Sequence, residues 1–415
     1  METNISSFNI NSVSLIRSLS MSLGLAVDGI THHHWRAAAI CQYISGSLKL
    51  PVAEKQRLFC AALLHDIGAA SSMDERQKLG DPNLETRASI HDHAEEGYNL
   101  LKSSPCFNDL AESVRYHHHA WLGGNPSGLR GDFIPLNSRI IYVADRVEIL
   151  LDPRKPVLSQ SDGIKEFIRE GRGTRYDPMV VDAFLYASRK DSFWLDMGNP
   201  EYMNTFFNGL RNLGLTGYSA SEMLHIAGMF AKLIDRMSAF TATHSKSVSL
   251  VAVLLASEHS FSETELCMME IAGLLHDLGK LAVPNSILEK PGALTKEEMR
   301  TMRQHTYFTY RILENMDNLG PIPAWAAFHH ETLDGAGYPF MLNETALSLG
   351  SRIMSVADIF VALAEDRPYR KRLEKNMVRK IMLDMAGNHK IDGRVVGVLL
   401  DLYQQADDIV LSLTL

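Results

Sequence analysis

The stretch CAALLHDIGA at residues 60–69 returns as IAGLLHDLGK at 271–280, and the match extends well beyond it. His65 aligns with His276 at an offset of 211, His93 with His305 at 212, and His117 and His118 with His329 and His330 at 212. Arg139 and Asp145 align with Arg352 and Asp358 at 213. Upstream, His33 of HHWRA aligns with His244 of HSKSV at 211, with His32 or His34 as alternatives. Scattered histidines do not hold a register this tightly, so one domain is written twice. At 415 residues each copy is long enough to bury its own core. The expected organisation is a first copy over 1–195, a linker over 196–217 and a second copy over 218–415.

Both copies read as helix. In SETELCMMEIAGLLHDLGK, Ser262 and Glu265 form a capping box, and Met268, Ile271, Ala272 and Leu275 recur at helical spacing. This predicts a helix from about residue 263 with HDLGK near its end. Thr295 and Glu298 repeat the device for a helix that carries His305 about two and a half turns in. No segment shows strand alternation, and glycine and proline gather in the connections. The expected fold class is all-α, as two tandem helical domains.

A formal net charge of -8 argues against a broad phosphate-binding surface, and so against a nucleic-acid polymer as partner. No apolar run is long enough to span a bilayer, and the first twenty residues have no basic cluster before an apolar core. Cys41, Cys60, Cys106 and Cys267 form no CxxC pair. Free thiols of this kind suit a reducing cytoplasm, the expected location. A homodimer is left open.

The second copy offers His244, His276, Asp277, His305, His329, His330 and Asp358. One buried histidine is more often a satisfied core residue than a ligand. Five imidazoles and two carboxylates in repeated register are a different matter. They are too many for one tetrahedral zinc and suit two divalent ions bridged by a shared carboxylate, for which Asp277 is the natural choice. The mixed nitrogen and oxygen set favours Fe or Mn and leaves Zn or Ni open.

HDLGK, His305, HHE, DGAGYP and VADIFVALAEDRPYR together resemble the HD-GYP subgroup of HD-domain phosphohydrolases. The resemblance covers nearly all of the second half. It implies an all-helical, bimetallic or trimetallic phosphodiesterase that linearises bacterial cyclic dinucleotides, with the seven residues above as metal ligands. The first half looks like the same fold in degenerate form. The tandem is similar to the cyclic GMP-AMP phosphodiesterases of that family.

The chemistry assigns further roles. Asp277 and Lys280 are the candidate catalytic residues, Lys280 as a point charge or proton donor on the phosphate. Gly335 and Gly337 are expected to turn the backbone with positive φ, and Pro339 to restrain Tyr338 beside the metals. Tyr338 can donate to a phosphate oxygen or stack on a base. Arg367 and Arg370 supply planar donors for phosphate or a guanine edge. Gly337, Tyr338, Arg367, Arg370 and Val361 make up the expected substrate-binding set. Phe240 stands where some relatives carry a third-metal glutamate, which favours two ions and a linear 5′-phosphorylated dinucleotide as product. Val361 stands where the family often has Asp, and the lost acceptor tilts the expectation towards 3′,3′-cyclic GMP-AMP over cyclic di-GMP. A non-catalytic cyclic dinucleotide receptor and a phosphohydrolase for ordinary nucleotides remain as alternatives.

The first copy keeps His33, His65, Asp66, His93, His117, His118 and Asp145, but Ala69 replaces the lysine and no Gly-Tyr-Pro follows. A structural or regulatory role is expected there, with metal binding open.

Overall fold

The computed structural model describes residues 10–25, 32–71, 88–199, 202, 217–236, 243–316, 318–366 and 370–414. They form two compact units, one of Ser12–Thr216 and one of Gly217–Leu415 together with Met1–Asn11. The fold is all-α as expected. Among the described residues the only strand pairing joins Ile10–Asn11 to Gly217–Tyr218, antiparallel and two residues long. That ladder attaches the start of the chain to the second unit, whereas the sequence placed it with the first. Most of the expected 196–217 linker lies outside the described residues, and the helix Asp191–Gly198 runs into its beginning.

The repeat is a repeat of helices. His33–Ser47 corresponds to His244–Ser257, Val52–Leu63 to Glu263–Leu275, and Asp92–Lys102 to Lys296–Glu314. Ala111–Arg115 corresponds to Ile322–Ala327 and Leu136–Ile149 to Leu349–Ala364. Both expected capping boxes form, at Ser262 with Glu265 and at Thr295 with Glu298. Each satisfies two of the backbone donors left open at a helix start. They fix where two ligand-bearing helices begin, and hence where His276 and His305 fall.

Each HD pair lies just past the end of its helix, followed by a 3-10 turn over Ile67–Ser71 or Leu278–Ala282. The second of these turns presses against the Lys296–Glu314 helix. A Cβ on Gly279 would meet the His305 carbonyl oxygen at 1.9 Å, and one on Gly68 the His93 oxygen at 2.1 Å. The glycine is therefore required by close approach, which also brings the Gly279 amide to Thr309 Oγ1 at 2.9 Å. Thr309 in turn donates to the His276 carbonyl at 3.1 Å.

The aligned arginines turn out to be structural. Arg352 reaches Asp392 Oδ2 at 2.9 Å and Arg139 reaches Asp177 Oδ2 at 2.5 Å. Both aspartates cap the start of a late helix, Gly393–Asp401 or Pro178–Ala187. Among the described residues no helix is long and apolar enough to cross a membrane.

Gly279→Ala should lower stability by about 1–3 kcal/mol, because the neighbour it would strike is backbone. Gly228→Ala, in the middle of Ala220–Arg236 with nothing within 4 Å of the added methyl, should raise it by about 0.5–1 kcal/mol. Thermal melts of both variants test the pair; equal behaviour would refute the close-approach reading.

Candidate metal centre

The seven expected ligands of the second unit converge. His244, His276 and Asp358 form one group, His305, His329 and His330 another, and His276, Asp277 and His329 link them, with the ligand atoms of each group within 4.8 Å of one another. His244 opens the His244–Ser257 helix, and His276 and Asp277 follow Glu263–Leu275. His305 lies within Lys296–Glu314 and Asp358 within Leu349–Ala364. His329 and His330 sit in the turn beyond Ile322–Ala327 rather than on the helix itself.

Backbone carbonyls orient the rings. His276 Nδ1 donates to Gly273 O at 2.8 Å, His305 Nδ1 to Met302 O at 2.6 Å and His329 Nδ1 to Ala326 O at 2.7 Å. A carbonyl can only accept, so the proton of each neutral ring is on Nδ1 and Nε2 presents a lone pair inward. His305 Nε2 and His329 Nε2 face each other at 3.5 Å, and His276 Nε2 is buried without a hydrogen bond. Burial pushes His305 down to about 3 and His329 well below its ordinary value, so these rings are neutral. Lone pairs aimed at one another in a buried space are what a cation requires, and the residues fit divalent metal.

Asp277 lies between the groups, with Oδ2 at 3.1 Å from His276 Nε2 and Oδ1 at 3.5 Å from His305 Nε2. Burial raises its pKa, but the His276 imidazole and the Lys280 ammonium outweigh that and hold it well below the carboxylate range. Lys280 donates to the same Oδ2 and stays 22% exposed, so it borders both the cluster and solvent. Asp358 Oδ1 is 3.3 Å from His244 Nε2; burial raises its pKa, but that hydrogen bond outweighs it and keeps the pKa well below the ordinary value.

The Gly-Tyr-Pro loop packs against His330, whose ring centroid is 5.0 Å from that of Tyr338. Arg303 caps the tyrosine face at 4.9 Å. Gly335 has the expected positive φ of 73°. Gly337 does not, and its glycine requirement comes from contact: a Cβ there would meet Glu331 Cα and Thr332 N at 2.5 Å. Glu331, the glutamate of HHE, pins the loop by accepting from Phe340 N at 2.7 Å and Leu342 N at 2.9 Å.

Two substrate expectations fare differently. Arg370 donates to the carbonyls of Ala362 at 2.6 Å and Leu363 at 3.3 Å, so its guanidinium caps the end of a helix. Val361 is 0% exposed, so its side chain is not on a surface a base could touch. The first unit explains why: Glu148, aligned with Val361, hydrogen-bonds to His33 Nδ1. In the second unit Glu365, one turn later, reaches His244 Nδ1 at 3.0 Å and takes over that role. Position 361 therefore aligns with the residue whose carboxylate bonds to His33 Nδ1 in the first unit. Only the alignment of Glu148 with Val361 hinted at this in the sequence. Arg367 and Phe240 lie outside the described residues.

The chain matches the HD domain family over residues 17–180 and 228–395. It is 29% identical to the 3′3′-cGAMP-specific phosphodiesterase 1 of Vibrio cholerae, over 92% of this chain and 89% of that protein. It is 31% identical to the 3′3′-cGAMP-specific phosphodiesterase 3 of the same organism, over 77% of this chain and 70% of that protein. A crystal structure of a cyclic GMP-AMP specific phosphodiesterase from V. cholerae superposes with a TM-score of 0.66 at 25% identity, covering 96% of this chain and 98% of that one.

Glu365→Ala should weaken metal retention by about 10–100-fold, as loss of a carboxylate behind a ligand histidine does. Adding Val361→Glu should recover much of it, because Glu148 works from that position. Metal titrations of the single and double variants decide it; no recovery would mean the two glutamates are not equivalent.

Proposed function

The chain belongs to the HD domain family, and from that premise we propose a metal-dependent phosphodiesterase that opens a cyclic dinucleotide, 3′,3′-cyclic GMP-AMP ahead of cyclic di-GMP. The observation that carries the substrate class is the likeness along nearly the whole tandem to proteins named for 3′3′-cGAMP. This replaces the Val361 argument, which the burial of that side chain removes. Catalysis belongs to 218–415, with the first copy over 1–195 in a structural or regulatory role.

The geometry supports two ions in the second unit, held by His244, His276 and Asp358 on one side and His305, His329 and His330 on the other, with Asp277 shared. Fe or Mn suits this set, with Zn or Ni open. When bound, such ions supply Lewis acidity towards phosphate oxygens and a hydroxide source at neutral pH. The protein's own groups do the rest. The carbonyl-bonded imidazoles keep their lone pairs on the cluster, so the site is formed before substrate arrives. Lys280, joined to Asp277 and open to solvent, brings a positive charge to the scissile phosphate. Burial, and then the Asp358 charge, raises the Tyr338 pKa, so the phenol stays protonated and can donate. Arg303 on its face and the Glu331-pinned loop hold that hydroxyl in place. Cleavage of one linkage yields a linear 5′-phosphorylated dinucleotide.

The test is hydrolysis of cyclic GMP-AMP, cyclic di-GMP, cyclic di-AMP and dGTP with Mn(II) or Fe(II), followed by chromatography over time. Cyclic GMP-AMP should give the highest kcat/KM and a linear dinucleotide first; turnover of dGTP alone would overturn the reading, and immediate mononucleotides would overturn the single cleavage.

Asp277→Ala should lose essentially all turnover and Lys280→Ala about 10²–10³ in kcat. Asp66→Ala, in the first unit, should leave most of it. Equal loss in the Asp66 and Asp277 variants with helical content preserved would place catalysis elsewhere.

A further inference from the structure

The first unit, read from its sequence as degenerate, contains a more complete ligand cage than the second. His33, His34, His65 and Asp66 offer four atoms within 4.8 Å of one another, and so do Asp66, His93, His117 and His118. Asp66 divides its oxygens between them. Oδ2 lies 3.2 Å from His33 Nε2, 3.6 Å from His34 Nε2 and 3.1 Å from His65 Nε2. Oδ1 lies 3.3 Å from His93 Nε2 and 3.7 Å from His117 Nε2. Across each group His33 Nε2 faces His65 Nε2 at 3.3 Å and His118 Nε2 faces His93 Nε2 at 3.1 Å. Four ligands at zinc bond lengths of about 2.0–2.2 Å stand about 3.3–3.5 Å apart at the corners of a tetrahedron. The observed separations, from 3.1 to 3.7 Å, bracket those edges.

Ring orientation agrees. His65 Nδ1 donates to Ala62 O at 2.8 Å and His117 Nδ1 to Val114 O at 2.6 Å, which turns both Nε2 lone pairs inward. His33 Nδ1 is held by Glu148. His34 Nε2 and His117 Nε2 are buried and make no hydrogen bond. A buried polar atom left unbonded is costly unless something absent from the protein chain satisfies it.

From this geometry we propose that the first unit holds a second dinuclear centre, of two zinc-type ions, one on His33, His34, His65 and Asp66 and one on Asp66, His93, His117 and His118. It differs from the catalytic centre in being saturated and closed. His34 supplies a ligand where the aligned residue of the second unit is Ser245. Asp145, aligned with Asp358, keeps Oδ1 at 3.4 Å from His33 Nε2 and 3.7 Å from His65 Nε2, while its Oδ2 accepts from Arg146 at 2.7 Å, where the second unit has Ile359. All seven ligands of the two groups are buried, whereas His330 in the second unit is part exposed. A four-ligand protein cage leaves no position for substrate, and with Ala69 in place of lysine there is no charge to meet a phosphate. The centre is a cross-link: it ties the His33–Ser47 helix, the end of Val52–Leu63, the Asp92–Lys102 helix and the turn after Ala111–Arg115.

The test leaves the first unit unaltered. Full-length His276→Ala/Asp277→Ala/His329→Ala protein, which breaks every three-ligand group of the second unit, loaded with zinc sulfate and dialysed, should retain about two zinc ions per chain by elemental analysis; a metal-free protein would overturn the proposal. X-ray absorption at the zinc edge should count about three imidazoles per ion, and a count below two would overturn the assigned ligands. Adding His34→Gln should release about one of the two ions. Retention of both would remove His34 from the centre.

Discussion

The structure depends on a hydrogen bond within a single turn of chain: a histidine Nδ1 donating to the carbonyl three residues before it. It occurs at His276, His305 and His329 in one unit and at His65 and His117 in the other. The bond fixes the tautomer, aims Nε2 into the core and gathers lone pairs that repel one another until a cation is present. Helix starts, capping boxes and the glycine contacts all serve to bring those rings to one place. Because the acceptors are backbone atoms, the arrangement survives wide change in the surrounding side chains.

Around this common frame the two units diverge through a few residues. The second opens its cluster by way of His330, adds Lys280 on Asp277, and carries a loop that Glu331 and the glycine contact at Gly337 hold against the ligands. The first has His34 and Arg146 where the second has Ser245 and Ile359, and its clustered histidines and aspartates are all buried. A single carboxylate, Asp277 or Asp66, sits between two ligand groups in both. On the proposed reading, catalytic and structural use of one fold come down to whether a coordination position and a cation are left facing solvent.

The pair Glu148 and Glu365 shows how function can move along a helix. Position 148 supplies the carboxylate behind His33; in the second copy that position is Val361, and the carboxylate returns one turn later. Residues four apart share a helix face, so either can reach the same imidazole. The carboxylate that bonds to this imidazole is thus relocated by one turn between the two copies.

The sequence by itself determined the all-α fold, the two copies and the seven converging residues of the second half, because repeat register, capping boxes and ligand types are local facts written in order along the chain. It also marked Gly335, whose positive φ is a property of one residue and its turn. Tertiary structure decided what depends on distance between segments. It buried Val361, turned Arg370 to a helix end, made Gly337 a matter of contact, and paired Ile10–Asn11 with the second unit. It also brought His34 to Asp66, which no spacing predicts, since the 31 residues between them close into a cluster only when two helices pack.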